Sequence, residues 1–240
     1  MVNKRLEKKL KSPRLIFWDW TGTLADEAQL DRAICEEIEK FIALTKQISL
    51  SQAKELFQNY LKELEGQWEW HDYVRHSRHF NLPWKEIQKK HLDKLKLLPD
   101  AKEVLNWTKE KGYINILATN AVRAIIKLRL NHLKIEPFFD TLITSDDVQA
   151  LKASGQHFKL GLNLYQAQPS KCFSIGDNPI QDINSARQLG LKTIHCRFGT
   201  NLTHYHTSHL TSNHQELVKA DFSINQLIEV KNILERNNHG

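Results

Sequence analysis

From Pro99 to Cys196 the chain alternates helical stretches with short apolar runs, and this alternation constrains its fold more than any other feature. Helical spacing over 100–111 is followed by Gly112 and an apolar run at 113–118. A helix at 121–132, a strand at 141–144 and a helix at about 154–166 come next. A strand at 172–176, a helix at 180–188, Gly190 and a strand at 192–196 complete the series. Strands joined through helices in this way pair in parallel, with helices covering both faces of the sheet. The earlier run Leu15-Ile16-Phe17-Trp18 is apolar without alternation, as in a strand buried on both faces. The pattern predicts an α/β fold, a doubly wound parallel sheet, with 221–224 as a last strand before a C-terminal helix.

The segment between the first strand and Pro99 reads differently. Leu30, Ile34, Ile38, Phe41 and Ile42 recur at helical spacing within 26–46. Leu56, Tyr60, Leu61 and Leu64 do so within 51–65, where Ser51 is the expected N-cap and Gly66 the expected stop. A third helix is expected over 84–96, behind Pro83. The division that follows is a basic arm at 1–13, a core formed by 14–24 and 98–240, and an all-helical cap inserted at 25–97.

Composition narrows the class. Hydrophobic residues make up 40%, enough for a sizeable core, and no run approaches the roughly 20 apolar residues of a membrane span. The net charge of +6 is concentrated at the start, where Lys4, Arg5, Lys8, Lys9, Lys11 and Arg14 face Glu7 alone. The rest is nearly neutral, so neither a nucleic-acid nor a membrane partner is expected. Cys35, Cys172 and Cys196 form no even framework and read as small buried hydrophobes, consistent with the cytoplasm. His204, His206, His209 and His214 fall in a Thr/Ser/Asn-rich stretch, 200–214, read as a solvated loop rather than a zinc site. Asn201 begins a glycosylation triplet, without a secretion signal ahead of it.

Loops at the carboxyl ends of parallel strands converge, so the polar residues there belong together. Asp19 and Thr21 follow the first strand, Thr119 and Asn120 the second. Lys152 comes after the third, and Asp177, Asn178 and Asp182 after the fourth. Two carboxylates can hold a magnesium ion through oxygen. The ion and an ammonium neutralise phosphate charge while a carboxylate attacks phosphorus. Thr119 and the backbone N–H groups of the Gly22 turn are candidate phosphate ligands.

Four segments, Phe17-Trp-Asp-Trp-Thr-Gly-Thr-Leu24, Leu117-Ala-Thr-Asn120, Lys152 with Phe158 six residues on, and Ser174-Ile-Gly-Asp-Asn-Pro-Ile-Gln-Asp182, resemble in order and spacing the signatures of the haloacid dehalogenase superfamily. Leu98-Pro-Asp-Ala101 resembles the re-entry into the core after the cap. The resemblance covers about 14–198 and implies a Mg2+-dependent hydrolase acting on a small phosphorylated metabolite. By it Asp19 is the nucleophile, and Asp19, Asp177 and the Thr21 carbonyl ligate the metal. Thr119 and Asn120 bind the phosphoryl group, Lys152 steadies nucleophile and phosphate, and Asp182 and Asn178 support the metal site or Lys152.

Threonine stands at 21, where most phosphatases of the superfamily carry an acid/base aspartate. A hydroxyl does no acid/base work near neutrality. The run is similar there to the Asp-Lys-Thr-Gly-Thr of cation-pumping ATPases, and Trp20 is similar to the Asp-Trp-x-Gly-Thr of phosphonoacetaldehyde hydrolase. The alternatives are a catalytically weak binding or regulatory protein of the same fold, and C–P or C–halogen hydrolysis. His71 and Glu69, in the aromatic and basic stretch 68–79, are candidates to replace the missing acid/base.

Overall fold

The computed structural model describes residues 12–198 and 219–237. The basic arm up to residue 11, the histidines of 200–214 and Asn201 lie outside the described residues.

Six parallel strands form one sheet, in the order β5-β4-β1-β6-β7-β8. They are β1 (Leu15–Trp18), β4 (Ile114–Thr119), β5 (Thr141–Thr144), β6 (Phe173–Gly176), β7 (Lys192–Cys196) and β8 (Phe222–Ile224). A separate antiparallel ribbon joins β2 (Ala25–Asp26) to β3 (Lys96–Leu97). The sheet grows outward from β1 in both directions, which makes the β1/β6 boundary the point where strand order reverses. Ligands in open α/β sheets bind beyond the carboxyl ends of strands at such a point.

Side chains of β1 alternate between two apolar clusters. Ile16 and Trp18 face one, while Leu15 and Phe17 face the other. Both faces are therefore buried, as the unbroken apolar run predicts. Trp18 donates its indole N–H to Asn115 Oδ1 at 3.0 Å, and Asn115 Nδ2 donates to the Leu105 and Phe138 carbonyls. This buried amide is thereby satisfied, as a polar group in a core must be.

The helices of the insert are α1 (Ala28–Lys46), α2 (Leu50–Glu63), α3 (Tyr73–His79) and α4 (Trp84–His91). Those of the core are α5 (Ala101–Glu110), α6 (Arg123–Leu133), α7 (Ser145–Val148), α8 (Gln156–Tyr165), α9 (Ser185–Arg187) and α10 (Glu229–Arg236). Leu30, Ile34, Ile38 and Ile42 of α1 share one apolar cluster with Ile125, Ile126 and Leu130 of α6, so the insert packs on the core. Among the described residues no helix is long and apolar enough to cross a membrane. All three cysteines are free and buried.

Several boundaries differ from expectation. Ser49, not Ser51, caps α2: its hydroxyl accepts from Gln52 N while the Gln52 side chain accepts from Ser49 N. This reciprocal arrangement uses a glutamine three residues on, which Ser51 lacks. The helix expected over 84–96 stops at His91, because 92–94 tightens to a 3-10 turn and 96–97 joins the ribbon. The helix expected over 180–188 begins as a π-helical turn, Pro179–Asn184. A short turn at Trp68–His71 and α3 occupy the aromatic stretch that carries no clear period in sequence.

Gly161 of α8 lies against β1. A Cβ there would meet Phe17 Cε1 at 2.4 Å and Cζ at 2.7 Å. Gly161→Ala gains roughly 0.5–1 kcal/mol of helix propensity but overpacks the core by about 1–3 kcal/mol. The variant should unfold at lower urea concentration than the parent. An equal or higher midpoint would contradict this packing.

Candidate active site

The site is organised around one buried ammonium. Lys152 opens a 3-10 turn after α7 and is 2% exposed. Its Nζ contacts Asp19 Oδ1, lies 2.6 Å from Asp182 Oδ1 and donates to the Ala118 carbonyl at 3.3 Å. Burial disfavours the charge, but the two carboxylates outweigh it and hold the Lys152 ammonium above its usual range. The two carboxylates thus favour the charged form of this side chain.

Asp19 is the first residue beyond β1, and its backbone N–H donates to Ile175 O on β6 at 2.9 Å. Burial pushes its carboxyl up; Lys152 opposes this, and Asp177 adds to it. Oδ2 of Asp19 is buried and has no hydrogen-bond partner. Carboxylate oxygens of Asp19, Asp177 and Asp182 all lie within 4.8 Å of one another. Three carboxylates around one ammonium leave an excess of two negative charges, which suits a divalent cation held by hard oxygen donors. Asp182 is already committed, since Oδ1 pairs with Lys152 and Oδ2 accepts from Asn178 N at 2.9 Å. Asp19 Oδ2, with Asp177 close by, could hold such an ion, and Asp182 could support them.

Asp182 reaches this position because residue 176 has no side chain. A Cβ on Gly176 would sit 2.1 Å from Asp182 Cγ. Asn178 shapes the same turn, its side chain accepting from Ile180 N and Gln181 N, each at 3.0 Å. Asn120 braces the Lys152 loop: Oδ1 accepts from Lys152 N at 2.8 Å, and Nδ2 donates to Gln181 Oε1 at 2.6 Å. The Thr119 hydroxyl accepts from Ala121 N at 3.1 Å, which keeps its own proton for a ligand.

One expectation fails. The N–H groups of the Gly22 turn do not point outward as phosphate ligands. Gly22 N donates to Ala25 O at 2.8 Å, and the N–H groups of Thr23, Leu24 and Ala25 all turn back to Trp20 O. A loop this tight, with Gly22 at φ 80°, satisfies its own backbone.

Three residues absent from the sequence-based set support the site. His157 donates from Nε2 to the Thr119 carbonyl at 3.1 Å, and burial, with Lys152 nearby, pushes its pKa down to about 3, so it is neutral. His195 donates from Nε2 to the Asp177 carbonyl at 3.0 Å. Glu27, buried just before α1, accepts from Thr21 Oγ1 at 2.7 Å and from the Trp20 indole at 2.5 Å. It also pairs with Arg129 of α6 at 2.5 Å, and Arg129 reaches Asp31 of α1 at 3.1 Å. Burial pushes the Glu27 carboxyl up while Arg129 opposes it. No local spacing announces these contacts, since Glu27 and Arg129 are 102 residues apart. Of the two expected substitutes for an acid/base at 21, Glu69 pairs with Arg75 at 3.7 Å and the His71 ring lies edge-on to Trp70.

A glyceraldehyde 3-phosphate phosphatase of Pyrococcus furiosus is 25% identical over 234 residues, 94% of each chain. A ribulose-1,5-bisphosphate 5-phosphatase of Halopiger xanaduensis is 30% identical over 104 residues, 43% of this chain and 44% of its own. Among solved structures, a phosphatase of Thermococcus onnurineus superposes with a TM-score of 0.77 at 23% identity, covering 92% of this chain and 97% of that one. A 2-haloacid dehalogenase of Pseudomonas syringae superposes with a TM-score of 0.65 at 16% identity, covering 93% and 99%. These superpositions establish the fold, which phosphatases and dehalogenases share. The sequence profile of the haloacid dehalogenase-like hydrolases matches residues 16–196, and the chain belongs to that family.

Proposed function

We propose that the protein is a cytoplasmic, Mg2+-dependent phosphatase that hydrolyses a small phosphorylated metabolite through an aspartyl phosphate on Asp19. The observation that carries this reading is the Lys152 ammonium bridging Asp19 and Asp182, with Asp19 Oδ2 unpartnered beside Asp177. The names of the relatives, phosphatases of small phosphate esters among them, support the same class.

In this reading the Asp19 and Asp177 carboxylates and the Thr21 carbonyl hold the metal, which when bound supplies positive charge to the phosphoryl oxygens. Asp19 attacks phosphorus, the P–O ester bond breaks, and the leaving oxygen departs with the bonding pair. Thr119 donates its hydroxyl proton to a phosphoryl oxygen, and Lys152 neutralises another while it fixes the attacking carboxylate. Asn120 holds Lys152 in place and has a second N–H to offer the substrate. Water then attacks the phosphorus of the acyl phosphate, releasing phosphate and restoring Asp19. Helices inserted at 25–97 act as a cap that selects the substrate.

Asp19→Asn should lower turnover of phosphate esters by at least about a hundredfold, the lower end of the cost of removing a positioned catalytic group. Chelation of divalent ions should abolish activity, and Mg2+ should restore it. Full turnover by Asp19→Asn would contradict the nucleophile assignment. Full activity in excess chelator would contradict the metal requirement.

Thr21 bears on which esters react. Without an acid at this position the leaving group must depart unaided, so aryl and acyl phosphates should react faster than alkyl phosphates. Thr21→Asp should raise the alkyl-phosphate rate by about tenfold or more, since a positioned acid contributes typically 10²–10⁴. Steady-state rates on paired aryl and alkyl substrates check this. Rapid alkyl-phosphate hydrolysis by the unmodified protein would show that another group supplies the proton.

A further inference from the structure

We propose that Glu27 is a positioning residue that fixes the polarity of the Thr21 hydroxyl, so that Thr21 accepts a hydrogen bond from a ligand but cannot donate one. This inference rests on the phosphatase reading and assigns the reason for its leaving-group preference.

A threonine hydroxyl has one proton and two acceptor lone pairs. The Glu27 carboxylate determines where that proton goes. Its Oε1 is filled by two donors that cannot accept, the Trp20 indole at 2.5 Å and the Arg129 guanidinium at 2.5 Å. Oε2 is left facing Thr21 Oγ1 at 2.7 Å. Between a hydroxyl and a carboxylate ion-paired to arginine, the hydroxyl is the donor. Thr21 therefore spends its proton on Glu27, and only lone pairs remain toward the site. A leaving alkoxide needs a donor and finds none here, whereas a water or an alcohol that carries a proton finds an acceptor.

The carboxylate is held in this orientation from three sides. Arg129 is 2% exposed and also pairs with Asp31 at 3.1 Å and Gln88 at 3.3 Å. Trp20 and Glu27 are likewise buried. A carboxylate so held cannot rotate to release Thr21.

Glu27→Gln is the discriminating change. The amide oxygen stays with Trp20 and Arg129, which can only donate, so Nε2 turns to Thr21. Thr21 must then accept, and its proton swings free to serve a leaving oxygen. Arg129 keeps Asp31 as its counter-ion, so the variant leaves no unpaired buried charge. Asp31→Asn is the control, because it alters the same ion-pair cluster without touching Thr21.

The experiment measures kcat/KM for an aryl and an alkyl phosphate in the unmodified protein, Glu27→Gln, Asp31→Asn, Thr21→Val and the double variant Thr21→Val/Glu27→Gln. The alkyl-to-aryl ratio should rise by about tenfold or more in Glu27→Gln, because a hydrogen-bond donor aimed at the leaving oxygen stabilises the charge that develops there without transferring its proton. It should stay within about twofold in Asp31→Asn, whose site is unchanged for both substrates. In the Thr21→Val background Glu27→Gln should no longer move the ratio. Equal ratios in Glu27→Gln and the unmodified protein would overturn the inference while leaving the phosphatase reading intact. So would a shift that persists without the Thr21 hydroxyl, or a Glu27→Gln chain that cannot fold while Thr21→Val leaves the ratio unchanged. An unmodified protein that turns over neither ester overturns the phosphatase reading and this inference with it.

Discussion

The contact between the Lys152 ammonium and the carboxylates of Asp19 and Asp182 is the interaction on which the rest of the site depends. It brings together the ends of three separate strand connections in a region from which water is largely excluded. Desolvating a lysine is costly unless partners surround it, and removing one partner of such a pair typically costs about 3–5 kcal/mol. The surrounding chain is organised to keep those partners present. Gly176 admits the Asp182 side chain, Asn178 N–H fixes its second oxygen, and Asn120 holds the Lys152 backbone. The ammonium satisfies part of the negative charge, and what remains is the charge a divalent cation would meet.

The helical insert is tied to this site through a second buried ion cluster. Arg129 belongs to a core helix, Asp31 to the first inserted helix, and Glu27 to the turn that joins that helix to the loop after β1. Trp20 and Thr21, the two residues after Asp19, bond to the same carboxylate. Insert, core helix and the loop after β1 are thus joined at this point by one set of ion pairs and hydrogen bonds. Ile34 and Ile38 of the insert and Ile126 of the core belong to one continuous apolar cluster. Glu27 therefore links the insert directly to Thr21.

Much of this was legible in the sequence because its causes are local. A strand buried on both faces must be apolar throughout, and Leu15 to Trp18 is. A polar residue at a strand's carboxyl end falls at the rim, and Asp19, Thr119 and Asp177 do so in register with β1, β4 and β6. What escaped the sequence was long-range or a matter of backbone direction. His157 has no spacing signal, because its importance arises from a single bond to the Thr119 carbonyl. Glu27 looks like an ordinary acidic residue ahead of a helix until Arg129 is folded against it. The Gly22 turn looked like a phosphate cradle, but only coordinates reveal that its N–H groups turn inward. The π-helical turn after Asn178 likewise leaves no mark on the apolar period.

The central claim is that Asp19 attacks phosphorus, and covalent capture of the intermediate tests it most directly. The protein would be mixed with an activated acyl or aryl phosphate and Mg2+, quenched in acid and examined by peptide mass spectrometry. The account predicts a phosphoryl adduct on the peptide containing Asp19, labile to hydroxylamine and absent from Asp19→Asn. An adduct on another residue, or hydrolysis of the ester with no adduct under any quench, would contradict it.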